Sequence, residues 1–165
     1  MTTTVSSRRL LVLGALAALG LTGARPADAV QSLPAAAQTL NGQAVRLDFL
    51  FPSKTAAGEN DGTQTVTTAG VTFVSFKQVY TTVTPDRISV KYTGGGRFHP
   101  AGFNGIRLTE VGSKPAAITS VTVDPSSKIQ NYGSRISFDS THVYVNFQGL
   151  YPHSVDGLIL DVQTR

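Results

Sequence analysis

From residue 44 onward, apolar side chains recur at every second position, the period of a β-strand with one face on a core and one in water. In Ala44–Phe51, Val45, Leu47, Phe49 and Phe51 alternate with Arg46 and Asp48. The same pattern places Ile88, Val90 and Tyr92 on one face, then Ile106 with Leu108, Val121 with Val123, and Ile136 with Phe138. It returns in Val143, Val145 and Phe147, and in Leu158, Leu160 and Val162. Turn-forming pairs separate these runs: Asn41-Gly42, Asp61-Gly62, Pro85-Asp86, Asn104-Gly105, Asp124-Pro125, Asp139-Ser140 and Asp156-Gly157, with the triplet Gly94-Gly95-Gly96. Within Val71–Val83 the alternation changes phase near Ser75, which predicts a bulge or a turn. No stretch after the first thirty residues carries a 3.6-residue apolar stripe. The expected fold is all-β: an antiparallel two-sheet β-sandwich of jelly-roll or Ig-like kind over residues 44–165, with an open β-barrel as the alternative.

The amino terminus has a different pattern. A polar head ends in Arg8-Arg9, an apolar run extends from Leu10 to about Thr22, and Ala27-Asp28-Ala29 closes the segment. These are the three regions of a secretory signal peptide, with Ala27 and Ala29 as the small residues of a cleavage site after Ala29. The apolar run falls short of the roughly 20 residues that cross a bilayer, so no permanent span is expected after processing. Arg8 and Arg9 resemble the pair of a twin-arginine export signal, with the general secretory route as the alternative. Residues 30–43 read as a linker. The expected location is outside the bacterial cytoplasm, secreted or periplasmic.

Charge bears on function only after that segment is set aside. The full chain has 14 Lys and Arg against 10 Asp and Glu, a net +4. Residues 1–29 hold three of the basic residues and one acidic one, so the remainder carries about +2. Its cations are scattered singly, whereas nucleic-acid binding needs several clustered phosphate contacts. The chain has no cysteine, which excludes a disulfide framework and thiolate metal sites.

Several segments carry a family resemblance. Leu47–Thr63 (LDFLFPSKTAAGENDGT), Gly102–Val111 (GFNGIRLTEV), Ile118–Ser127 (ITSVTVDPSS), Gly133–Leu150 (GSRISFDSTHVYVNFQGL) and Leu158–Val162 (LILDV) together resemble an ectodomain of bacterial secreted proteins of the PEP-CTERM, exosortase-sorted type. The resemblance implies an all-β extracellular domain associated with the cell surface or exopolysaccharide, without assigned catalytic residues. The sequence departs from that family in lacking a Pro-Glu-Pro motif and a terminal hydrophobic span before Arg165. Release as a soluble protein is therefore expected, rather than exosortase sorting.

Candidate chemistry is sparse. His99, His142 and His153 have no partner at metal-ligand spacing, and no G-x-S-x-G elbow is present. An extracellular hydrolase would require two or more of these histidines to converge with a carboxylate. The oxygen-rich stretch Gly58–Thr63 offers calcium-like donors, but its spacing is not that of an EF-hand, and a hairpin turn accounts for it. Gly94–Gly96 reads as a flexible hairpin tip. For ligand binding, Tyr144, Asn146 and Gln148 share the outward face of one strand, with Tyr132 and Tyr151 near in sequence. Tyrosine rings stack on pyranose C–H faces and amides bond hydroxyls, although the same residues suit an ordinary solvated sheet face. The resulting expectation is a non-catalytic structural or interaction protein of the cell exterior, needing no cofactor, whose partner is an extracellular polysaccharide or surface protein. A carbohydrate-binding module is the alternative, and a hydrolase the third reading.

Overall fold

The computed structural model describes residues 38–56, 58–129 and 131–165. The leader, with Arg8, Arg9, Ala27 and Ala29, lies outside the described residues. The alternating runs become β1 (Ala44–Leu50), β5 (Arg87–Tyr92), β6 (Gly105–Glu110), β7 (Ile118–Val123), β8 (Ile136–Phe138), β9 (His142–Asn146) and β10 (Leu158–Thr164). Three more strands complete the fold: β2 (Glu59–Thr65), β3 (Val71–Ser75) and β4 (Val79–Val83). One five-stranded sheet has the order β2-β1-β6-β9-β8, the other β3-β4-β5-β10-β7, and every pairing is antiparallel. The chain is a two-sheet β-sandwich, and the open barrel is not formed. Among the described residues no helix is long and apolar enough to cross a membrane.

The core follows the alternation. Val45, Leu47, Ile106, Leu108, Val143 and Val145 of the first sheet are buried with Phe73, Val83, Ile88, Val90, Leu158 and Leu160 of the second. Each such side chain contributes roughly 1.5–3 kcal/mol through removal from water. The outward face of the first sheet is braced by charge. Asp48 of β1 is buried and accepts from Arg46 Nε at 3.1 Å, Arg107 Nη2 at 2.8 Å and Asn60 Nδ2 at 3.1 Å. One carboxylate thus ties β2, β1 and β6 together.

The sheets also meet along their edges. On one side Ser75 donates to Asp61, Gln64 Nε2 to Thr72 O at 3.1 Å, and the Phe76 N–H to Glu59 Oε2 at 2.8 Å. On the other, the Ile118 N–H donates to Ser140 O at 2.9 Å.

The structure corrects four local expectations. Asp61-Gly62 is not a hairpin turn but part of β2, whose polar sequence ENDGTQT has no apolar alternation to reveal it. Backbone pairing with β1 decides the conformation, and Gly62 (φ 89°) sits beside a register shift opposite Arg46 and Asp48. Residues 38–43 are not a linker: Leu40 is fully buried, and its N–H donates to Pro85 O at 2.8 Å. The phase change at Ser75 is a turn, with Phe76 (φ 51°) and Lys77 (φ 59°) both left-handed. Gly94–Gly96 is not a hairpin tip, because the segment after β5 crosses from one sheet to the other before entering β6.

Glu110, on the inward face of β6 with Ile106 and Leu108, is 5 % exposed, and neither carboxylate oxygen has a hydrogen-bond partner among the described residues. Burial pushes its carboxyl up from 4.5 to about 7, against a smaller opposing pull from the Ala116 backbone. A raised carboxyl pKa means the folded protein binds the proton more tightly than the unfolded chain. Stability from this group is therefore full below pH 4.5 and lost as pH rises through about 7. Glu110→Gln is expected to unfold like the wild type near pH 4.5 and to be more stable at pH 8 by about 1–3 kcal/mol, in urea titrations at both pH values. Equal stability at pH 8 would contradict the assignment.

Candidate functional site

The inward rows of the two sheets end in rings. Phe49 closes β1, Phe147 follows β9, Tyr92 closes β5, and Phe98 enters from the crossing segment. Phe98 lies 5.2 Å from Phe147, 6.4 Å from Phe49 and 4.9 Å from Tyr92, so one aromatic cluster joins both sheets at this end. Phe76 extends the cluster outward, edge-on to Phe49 at 5.1 Å, and Phe51 meets His99 edge-on at 5.8 Å. Between these rings is a cleft of ≈ 350 Å³, completed by Gln78, Val79, Arg97 and Asn104. Phe51 and Phe76 are 43 % and 55 % exposed, which leaves their rings available to a ligand.

Phe76 is held there at a cost. A left-handed conformation disfavours any residue with a Cβ by about 1–2 kcal/mol, and such strain persists only where the surroundings enforce it. Here the Gln78 N–H closes the turn onto Ser75 O at 3.0 Å, and Glu59 fixes the Phe76 N–H.

The opposite wall, residues 97–104, is sewn to the end of β9 and the turn that follows it. The Phe98 N–H donates to Leu150 O and the Gly149 N–H to Phe98 O, both at 2.8 Å. Asn146 Oδ1 accepts from the Asn104 and Gln148 N–H groups at 3.1 Å each, and Gln148 Oε1 from the Ala101 N–H at 3.3 Å. Asn104 Nδ2 donates to His99 O at 3.0 Å. Gly105 lets the segment enter β6, since a Cβ there would lie 1.9 Å from Val145 O.

The tyrosine and amide set is therefore divided. Asn146 and Gln148 position the cleft wall through their side-chain oxygens. Tyr132 does not face a ligand: it is 1 % exposed, donates its hydroxyl to Ser154 O at 3.0 Å, and belongs to the core. Burial raises its pKa. Tyr144 points from the outer face of the first sheet, with Lys54 Nζ 4.7 Å over its ring and His142 stacked at 5.7 Å. Tyr151 is 52 % exposed and borders the cleft through Arg97, whose guanidinium lies 5.6 Å over its ring. Arg97 and the turn residue Phe76 are not among the expected ligand-binding residues, and His99, considered only for metal or hydrolase chemistry, lines the cleft wall instead. The signal for Arg97 and His99 was the run Arg97-Phe98-His99-Pro100, aromatic and basic immediately after three glycines.

No family model, curated protein or solved structure matches the chain.

The histidines have separate neighbours. His99 meets Phe51, His153 stacks on Tyr151 at 6.0 Å, and His142 Nδ1 lies 2.9 Å from Asp139 Oδ1. Thr141 Oγ1 is 3.0 Å from that same Nδ1. A nucleophile–base–acid relay needs its two partners on opposite ring nitrogens, so this cluster braces the β8–β9 turn. Among the described residues no group of three or more His, Asp or Glu side chains is placed to hold a metal ion. The acidic groups of Gly58–Thr63 are engaged by Ser75 and the Phe76 backbone.

Asn146→Ala removes the acceptor shared by Asn104 and Gln148. Hydrogen exchange of the amides at 101–104 is expected to quicken about tenfold, with global stability lowered by about 1 kcal/mol. Unchanged exchange in that segment would contradict the positioning role.

Proposed function

We propose that this protein is a non-catalytic binding module working outside the cytoplasm, and that its end cleft takes a glycan. The observation that carries the reading is the pair of exposed rings, Phe51 and Phe76, across an apolar floor of Phe49 and Phe98. Polar groups of Gln78, Tyr92, Arg97, His99 and Asn104 stand around that floor. Sugars present apolar C–H faces and hydroxyl edges, which suits rings alternating with hydrogen-bonding groups. The left-handed turn at Phe76 supports the same reading, because it holds a largely exposed ring at the cleft while one edge of that ring packs on Phe49. The export features around Arg8, Arg9, Ala27 and Ala29, with the resemblance to PEP-CTERM-type ectodomains, favour a role at the cell exterior and an association with exopolysaccharide.

Affinity electrophoresis through gels containing soluble bacterial and plant polysaccharides tests the reading. At least one glycan is expected to retard the protein. Phe76→Asn, which removes the ring but tolerates the left-handed backbone, is expected to weaken binding about tenfold, while Tyr144→Ala retains it. No retardation in any gel, or retardation unaffected by Phe76→Asn, would overturn the proposal.

A further inference from the structure

We infer that the ligand of this cleft is an anionic glycan, one whose sugars carry carboxylates, a reading that rests on the glycan-binding role of the cleft. The residues lining the cleft include Arg97 and His99, and no Asp or Glu. The carboxylate of Glu59, adjacent to the turn, is already committed to the Phe76 N–H at 2.8 Å.

Arg97 is prepared for such a ligand. Its Nε donates to Gly149 O at 2.7 Å, and its guanidinium lies over the Tyr151 ring at 5.6 Å. These two contacts fix the plane of the fork. Its terminal Nη1 and Nη2 make no hydrogen bond or ion pair among the described residues. A planar guanidinium with both terminal nitrogens open matches a carboxylate end-on through two parallel N–H···O bonds. Arg97 is exposed, so a neutral sugar would leave its guanidinium to water and gain nothing from its charge. Three other described arginines pair with carboxylates, Arg46 and Arg107 on Asp48 and Arg87 on Asp124 and Asp161, whereas Arg97 and Arg135 hydrogen-bond backbone carbonyls only.

The test compares polygalacturonate with its fully methyl-esterified form, which has the same backbone without the charge, and adds alginate as a second uronate and xylan as a neutral glycan. The full secreted protein is titrated calorimetrically against each at low salt. Polygalacturonate or alginate is expected to bind at least tenfold tighter than the esterified polymer and xylan. Arg97→Gln is expected to remove that preference, with Arg97→Lys intermediate because it keeps the charge but loses the fork. Equal binding of charged and esterified polymers would overturn the anionic assignment and leave the glycan cleft standing. Binding to none of the four would remove both. The esterified comparison needs no variant, so the inference is testable even if Arg97→Gln fails to fold.

Discussion

Phe49 is the residue on which fold and site both depend. As an inward position of β1 it takes part in the alternation that buries one face of the first sheet. As the last inward ring of that row it lies within 6.4 Å of both Phe98 and Phe147 and 5.1 Å from Phe76, which come from three other parts of the chain. The same apolar burial that holds the sheets face to face therefore continues into the floor of the cleft. Aromatic rings suit that junction because they bury large areas and accept several packing angles, edge-on and tilted contacts included.

Around that junction the sandwich is secured by polar links at its margins. Asp48 joins three strands from the outer side, and side-chain bonds from Gln64, Ser75 and Glu59 clasp the edges of β2 and β3. These links have a second consequence, since they fix the turn carrying Phe76. The opposite wall is fixed by Asn146 and Gln148 through backbone N–H groups. Under the proposed function, a ligand would meet walls already set, which lowers the ordering cost of binding. Glu110 is the exception among these polar groups, a buried carboxyl with no cation or side-chain donor paired to it among the described residues.

Much of the fold was legible in the sequence, because a period of two with one buried face admits few arrangements. Ile88 and Val90, Val143 and Val145, Leu158 and Leu160 all face the core as their alternation requires. What escaped lacked that signal. β2 is polar along its length and is a strand only because β1 offers a partner, a tertiary effect absent from local pattern. Leu40 is a single apolar residue beyond the alternating run. The site was less legible still. Tyr144 and Asn146 share a strand face, whereas Gln148, expected on the same face, lies in the turn beyond β9; a strand pattern does not reveal which loops fold over it, and the two amides serve the loop and not a ligand. Tyr132 shows the same limit, for a tyrosine outside any alternating run gives no sign of whether it is buried. The cleft residues Phe76, Arg97 and His99 come together only when the β3–β4 turn of the second sheet meets the segment crossing from β5 to β6.

The proposed chemistry needs no catalytic group. It needs rings to take sugar faces, an open guanidinium to take a carboxylate, and a scaffold that keeps both apart from competing acids. The most direct measurement is an amide-shift titration of the isotopically labelled protein with a galacturonate oligosaccharide. The account predicts that the largest shifts fall on Phe76, Gln78, Arg97, His99 and their neighbours. Largest shifts on Lys54, His142 and Tyr144, across the outer face of the first sheet, would contradict it.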